Sequence, residues 1–108
     1  MGGNVQLYLG MAQRYPHEAR MLVEQLCAHL RRQQWHEAAA ACHTLRGVSA
    51  TLGADALAAH VGVIEERSRS GTLAGAEAAV CDTVEAMLEA SLAQLAQACA
   101  VLRGEPIG

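Results

Sequence analysis

Trp35-His36-Glu37-Ala38-Ala39-Ala40-Ala41-Cys42-His43-Thr44-Leu45-Arg46-Gly47-Val48-Ser49-Ala50-Thr51-Leu52-Gly53 is the stretch that decides the fold. At ~100° per residue, Ala38, Cys42, Leu45, Ser49 and Leu52 fall in one narrow stripe, which reads as a core-facing helix. The opposite side carries His36, Ala40, His43, Gly47 and Ala50, with Arg46 at its edge. An ordinary solvent face would be filled with Glu, Lys, Gln and Arg, whereas this one is nearly bare. Gly53 is placed to stop the helix in a left-handed conformation.

Working outward, the chain reads as helices over about 4–15, 17–32, 35–52, 54–69 and 73–102. Asn4 suits the cap of the first and Thr72 the cap of the last. Pro16 is expected to end the first helix and to sit in the first turn of the second. Gln33-Gln34 and Ser70-Gly71 are short connections, and Asp55 favours the start of the helix after Gly53. Along the final helix the expected core positions are Val80, Val84, Met87, Ser91, Leu95, Ala98 and Leu102. Short links between long helices make antiparallel neighbours. The expected architecture is all-α, an antiparallel up-down four-helix bundle with an extra short N-terminal helix, in a single domain spanning 1–108.

Composition supports this and narrows the function. With 108 residues, 52% of them apolar, one core can form without staples. Abundant Ala and the absence of Phe favour small-residue helix packing. The net charge of −3 lacks the basic stripe of a nucleic-acid binder, since Arg31-Arg32 and the pair Arg67 and Arg69 read as solvated helix ends. No apolar run is long enough for a bilayer, and no secretory leader is visible. The four cysteines, Cys27, Cys42, Cys81 and Cys99, stand singly in helical patterns and read as buried thiols.

Chemistry concentrates on the bare face. Glycine inside a helix costs roughly 1 kcal/mol relative to alanine, so Gly47 on an exposed face reads as clearance for another molecule one turn beyond His43. Histidine, with an ordinary pKa of ~6.5, is largely an unprotonated nucleophile at neutral pH. Phosphoryl transfer asks mainly for positioning and charge stabilisation, and Arg46 at i+3 is placed to lie beside phosphoryl oxygens. His17 and His36 are expected near helix starts in solvent, and His29 and His60 partly packed. Trp35 is expected to anchor its helix in the core.

The segment from His43 to Leu57 resembles the signature of histidine phosphotransfer (HPt) domains. The family pattern is a His, an apolar residue at +2, Lys at +3, Gly at +4, a small residue near +6, Gly at +10 and an apolar residue at +14. Here these are His43, Leu45, Arg46, Gly47, Ser49, Gly53 and Leu57. Gly2–Tyr8 is similar to the family's entry helix, and Gln34–Glu37 to its turn before the histidine helix. Arg46 stands where Lys is usual, which exchanges a point charge for a planar fork.

The resemblance implies a phosphorelay intermediate without kinase activity of its own. His43 would take a phosphoryl group at Nε2 from a receiver-domain aspartate and pass it to another receiver. Glu65, at the family offset of +22, would hydrogen-bond the other ring nitrogen. His36, Ala40, Ala50 and Arg69 would join the docking face. No cofactor is expected on this chain, because the Mg²⁺ belongs to the receiver. Expected partners are response-regulator receivers, with no nucleic acid and no direct membrane contact. The unit is expected to be a cytoplasmic monomer. Its opening Met1-Gly2-Gly3-Asn4 and closing Arg103–Gly108 read as cuts, so the expectation is the carboxy-terminal piece of a hybrid sensor kinase with a membrane-anchored parent chain.

Other classes fit less well. A metal or haem bundle would pair ligands at i,i+3 or i,i+4, and no histidine here has Cys, His, Asp or Glu at those offsets. His36 and His43 lie about 10.5 Å apart along the axis, too far for one ion. No phosphate-binding loop, G-x-S-x-G elbow or C-x-x-C is present. A docking-only module would share the small-residue face, but would have no need of His43.

Overall fold

The computed structural model describes residues 2–104 and contains four helices: α1 (Gly2–Arg31), α2 (Trp35–Thr51), α3 (Asp55–Ser70) and α4 (Glu77–Leu102). They pack around a ring in which α1 touches α2 and α4, and α3 touches α2 and α4. The all-α four-helix bundle is therefore the observed architecture. The long axis measures 46 Å, close to the ~45 Å of a 30-residue helix at 1.5 Å per residue. The two long helices α1 and α4 overrun the shorter α2 and α3.

Three helix ends close in the same way. Gln34 N donates to His29 O at 2.9 Å, Ala54 N to Ser49 O at 2.9 Å and Thr72 N to Arg67 O at 3.0 Å. Each is paired with a bond of 3.0–3.2 Å from the residue before it to the carbonyl three positions back, the two-bond Schellman closure that satisfies orphan carbonyls. The left-handed residue is Gly53 (φ 81°) after α2 and Gly71 (φ 70°) after α3, as the composition of those turns suggests. After α1 it is Gln33 (φ 56°), whose Cβ makes that conformation costly by about 1 kcal/mol.

Several expectations need correction. Pro16 does not divide two helices: it lies inside one continuous α1, and there is no separate short N-terminal helix. Pro16 can donate no bond to the Ala12 carbonyl, a loss of ~3 kcal/mol or more in an isolated helix. Continuity across it keeps Ala12, Tyr15, Ala19, Val23, Leu26 and Leu30 on one buried stripe, and that burial outweighs the missing bond. Asn4 and His17 accordingly lie within α1 and not at helix starts. Thr72 does not cap the last helix, because α4 begins at Glu77 and the turn before it tucks Leu73 fully into the core; it closes the end of α3 instead. Glu77 instead serves its own helix start, accepting from Gly75 N at 3.0 Å and from Gln33 Nε2 at 3.1 Å.

The core stripe of α4 is also turned by about one residue. Cys81, Val84, Leu88, Leu92 and Cys99 are buried. Val80, Met87 and Leu95 pack against that core only in part, and Ala98 and Leu102 are exposed. In α2 the expected stripe is correct in full: Ala38, Cys42, Leu45, Ser49 and Leu52 are all buried. Trp35 is half-buried against the core, and all four cysteines are buried free thiols. One polar contact crosses the interior. The hydroxyls of Tyr15 and Ser49 lie 2.8 Å apart, so neither is buried without a partner.

Candidate functional site

The buried stripe of α2 fixes which way the rest of the helix points. His36, Ala40, His43, Gly47 and Ala50 all face solvent. The His43 side chain is 66% exposed. Nothing lies within 4 Å of the place a Cβ on Gly47 would occupy, so this glycine answers no crowding inside the molecule. A shallow groove of about 360 Å³ runs alongside, lined by His36, Ala40 and Thr44 of α2 and by Leu22, Gln25 and His29 of α1.

Glu65 comes from α3, which packs against α2. Its side chain is only 8% exposed, yet three basic groups converge on it. Arg69 donates to Oε2 at 2.8 Å. His43 Nδ1 lies 3.5 Å from the same oxygen. Arg46 Nη2 lies 3.5 Å from Oε1. The hydrogen bond from Arg69 holds the Glu65 carboxyl below its ordinary range, against the opposing effect of burial, with further help from Arg46 and His43. Beneath the site, burial and the charge of Glu65 push the Cys42 thiol up to about 12, so it stays neutral there.

The guanidinium of Arg46 lies on the Nδ1 side of the ring, with Nη2 3.2 Å from His43 Nδ1. Its stem rests against Gly62 of α3, where an added Cβ would lie 3.4 Å from Cδ and 3.7 Å from Nη1. Among the described residues no side chain hydrogen-bonds Nε2 of His43. A family model for the Hpt domain matches residues 10–98 of this chain. The chain belongs to the Hpt domain family. No curated protein and no solved structure matches it.

Hpt domains perform histidine phosphotransfer in phosphorelays as phosphocarriers, not kinases, and they interact with receiver domains of response regulators. In this Hpt domain the packing of α3 on α2 brings His43, Arg46, Glu65 and Arg69 into one cluster. His36, Ala40, Gly47 and Ala50 extend along α2 outside it. Sequence reasoning missed Gly62 and the α1 side of the groove. A glycine inside a helix, the signal read at Gly47, was visible at Gly62 as well; nothing in the spacing identified Leu22, Gln25 or His29. Among the described residues no group of three His, Cys, Asp or Glu side chains is placed to hold a metal ion. No helix there is long and apolar enough to cross a membrane.

Proposed function

We propose that this Hpt domain accepts a phosphoryl group on Nε2 of His43 from an aspartyl phosphate of one receiver and returns it to an aspartate of another. In the first step an N–P bond forms as the acyl phosphate O–P bond breaks, and the second step reverses this on the new carboxylate. Phosphohistidine retains a high transfer potential because the ring nitrogen is a good leaving group, so it suits a carrier. Mg²⁺ and the groups that act on the aspartate belong to the receiver.

The observation that carries the reading is the arrangement around one ring. Nδ1 lies between Arg46 of α2, at 3.2 Å, and Glu65 of α3, at 3.5 Å, while the ring stands 66% exposed on a helix face cleared of large side chains, with no side chain of the described residues hydrogen-bonded to Nε2. With its proton on Nδ1, the ring would point that N–H at Glu65, which then balances the positive charge of the phosphorylated imidazole. Arg46 can follow the incoming phosphoryl group and offset its charge. His36, Ala40, Gly47, Ala50 and Arg69 form the surface on which the receiver settles.

Incubation with a ³²P-labelled receiver and Mg²⁺ should put acid-labile, base-stable label on the domain, and His43→Gln should take up none. Label on His43→Gln equal to wild type would refute the assignment. Receiver binding without label on either protein would favour a docking-only module.

A further inference from the structure

We propose that Arg46 is a tautomer lock on His43, seated in a notch that Gly62 opens on α3; the inference rests on His43 being the phosphoryl acceptor. A guanidinium keeps its protons at any working pH and has no acceptor lone pair. Its 3.2 Å contact with Nδ1 therefore requires Nδ1 to be the acceptor. A neutral imidazole that accepts at Nδ1 carries its proton on Nε2. In that form Nε2 has no lone pair with which to attack phosphorus.

The alternative tautomer turns Nδ1–H toward Glu65 Oε2, at 3.5 Å, and leaves the Nε2 lone pair free. Nδ1 cannot serve both neighbours at once. The resting geometry favours Arg46, because its contact is the shorter. Glu65 also has less need of the ring, since Arg69 already donates to Oε2 at 2.8 Å and Arg46 Nη2 stands 3.5 Å from Oε1. Gly62 keeps the place beside the Arg46 stem clear: a Cβ there would stand 3.4 Å from Cδ, at the near edge of ordinary contact, so atoms beyond a Cβ would crowd the stem.

Unlocking needs a competing anion held at the site, which a docked receiver supplies and a small donor colliding from solution does not. The phosphoryl group of a docked receiver attracts the guanidinium off Nδ1. The exposed ring then takes a proton from solvent at Nδ1, opposite Glu65, and the imidazolium so formed gives its Nε2 proton back to water. The side chain that held the nucleophile closed becomes the one that neutralises the incoming charge. A ring held this way reacts slowly with phosphodonors that bring no receiver.

The test has two arms on folded domains. Long-range ¹⁵N NMR at a pH where the ring is neutral reads which nitrogen carries the proton in wild type, Arg46→Ala and Gly62→Leu. The expected result is Nε2–H in wild type and a shift to Nδ1–H in both variants; Gly62→Leu keeps the arginine and displaces it. The second arm times labelling by phosphoramidate, in which the N–P bond to His43 forms as the donor P–N bond breaks and ammonia leaves. Reactivity scales with the open fraction, so Gly62→Leu, which keeps the arginine's charge, should label faster, by on the order of tenfold if about a tenth of wild-type rings are open; Arg46→Ala, which also loses the charge that offsets the phosphoryl group, is read by its proton position alone. An Nδ1–H ring in wild type, an unmoved proton in both variants, or a proton shift in Gly62→Leu with no gain in its labelling rate would overturn the lock. Absence of label in every protein would remove the acceptor reading, while the proton shift would still uphold the hold of Arg46 on Nδ1.

Discussion

Gly47 is where stability and transfer should part company. The residue lies inside α2, on the exposed face, and an added Cβ would meet nothing within 4 Å. Its φ is not in the left-handed range. Alanine should therefore stabilise the isolated domain by about 0.5–1 kcal/mol, from helix propensity and a less free unfolded chain. For a domain of this size that is a rise in Tm of roughly 2–5 °C. Glutamine keeps most of the propensity gain and adds a side chain one turn beyond His43. If a receiver packs there, intruding atoms cost about 1–3 kcal/mol in the complex, which is roughly 5- to 150-fold in transfer at limiting receiver. Thermal melts and timed phosphotransfer on Gly47→Ala and Gly47→Gln give both quantities. Transfer by Gly47→Gln at the wild-type rate would refute the steric reasoning. A lower Tm for Gly47→Ala would refute the claim that the position is open.

Three other perturbations follow from the described contacts. Tyr15→Phe leaves the Ser49 hydroxyl buried without its 2.8 Å partner and should cost about 1–2 kcal/mol in urea melts; adding Ser49→Ala should cost less than the sum of the single changes, which a double-mutant cycle checks. Glu65 titrates below its ordinary 4.5 in the folded state, so its contribution is complete above that value and is lost as pH falls through the folded pKa. Wild type should exceed Glu65→Gln by about 1 kcal/mol at neutral pH, and the gap should close in acid; a gap constant with pH would contradict the ion-pair account. Pro16→Ala restores a donor to the Ala12 carbonyl and should raise stability by about 1–3 kcal/mol, measured by the same melts.

How much of this was legible from residues alone depends on how far each inference reached through space. The face of α2 was readable because apolar and bare positions alternate at helical spacing with Gly53 marking the stop. The phase of α4 was not. With alanine at many positions, two adjacent stripes score alike, and Leu88, Leu92 and Cys99 settle the phase only once a partner helix is present. Pro16 read as a boundary because local rules set its cost, while the stripe that offsets it runs from Ala12 to Leu30. Glu65 was found by its offset from His43, but its grip by Arg69 and the turn of Arg46 onto Nδ1 depend on how α3 lies against α2. Gly62 was visible as a glycine inside a helix, but what lies against it is a side chain of another helix, Arg46, which spacing along the chain does not reveal.

The Tyr15–Ser49 contact has a directional consequence. A helix whose packing surface is mostly Ala, Cys and Ser is smooth, and can swivel about its own axis with little loss of contact. The hydroxyl pair acts as an index pin, holding α2 at one angular setting against α1. Ser49 stands six residues beyond His43, so a swivel at the pin would swing the imidazole sideways across the surface. One buried hydrogen bond thus sets the bearing on which an exposed ring is presented.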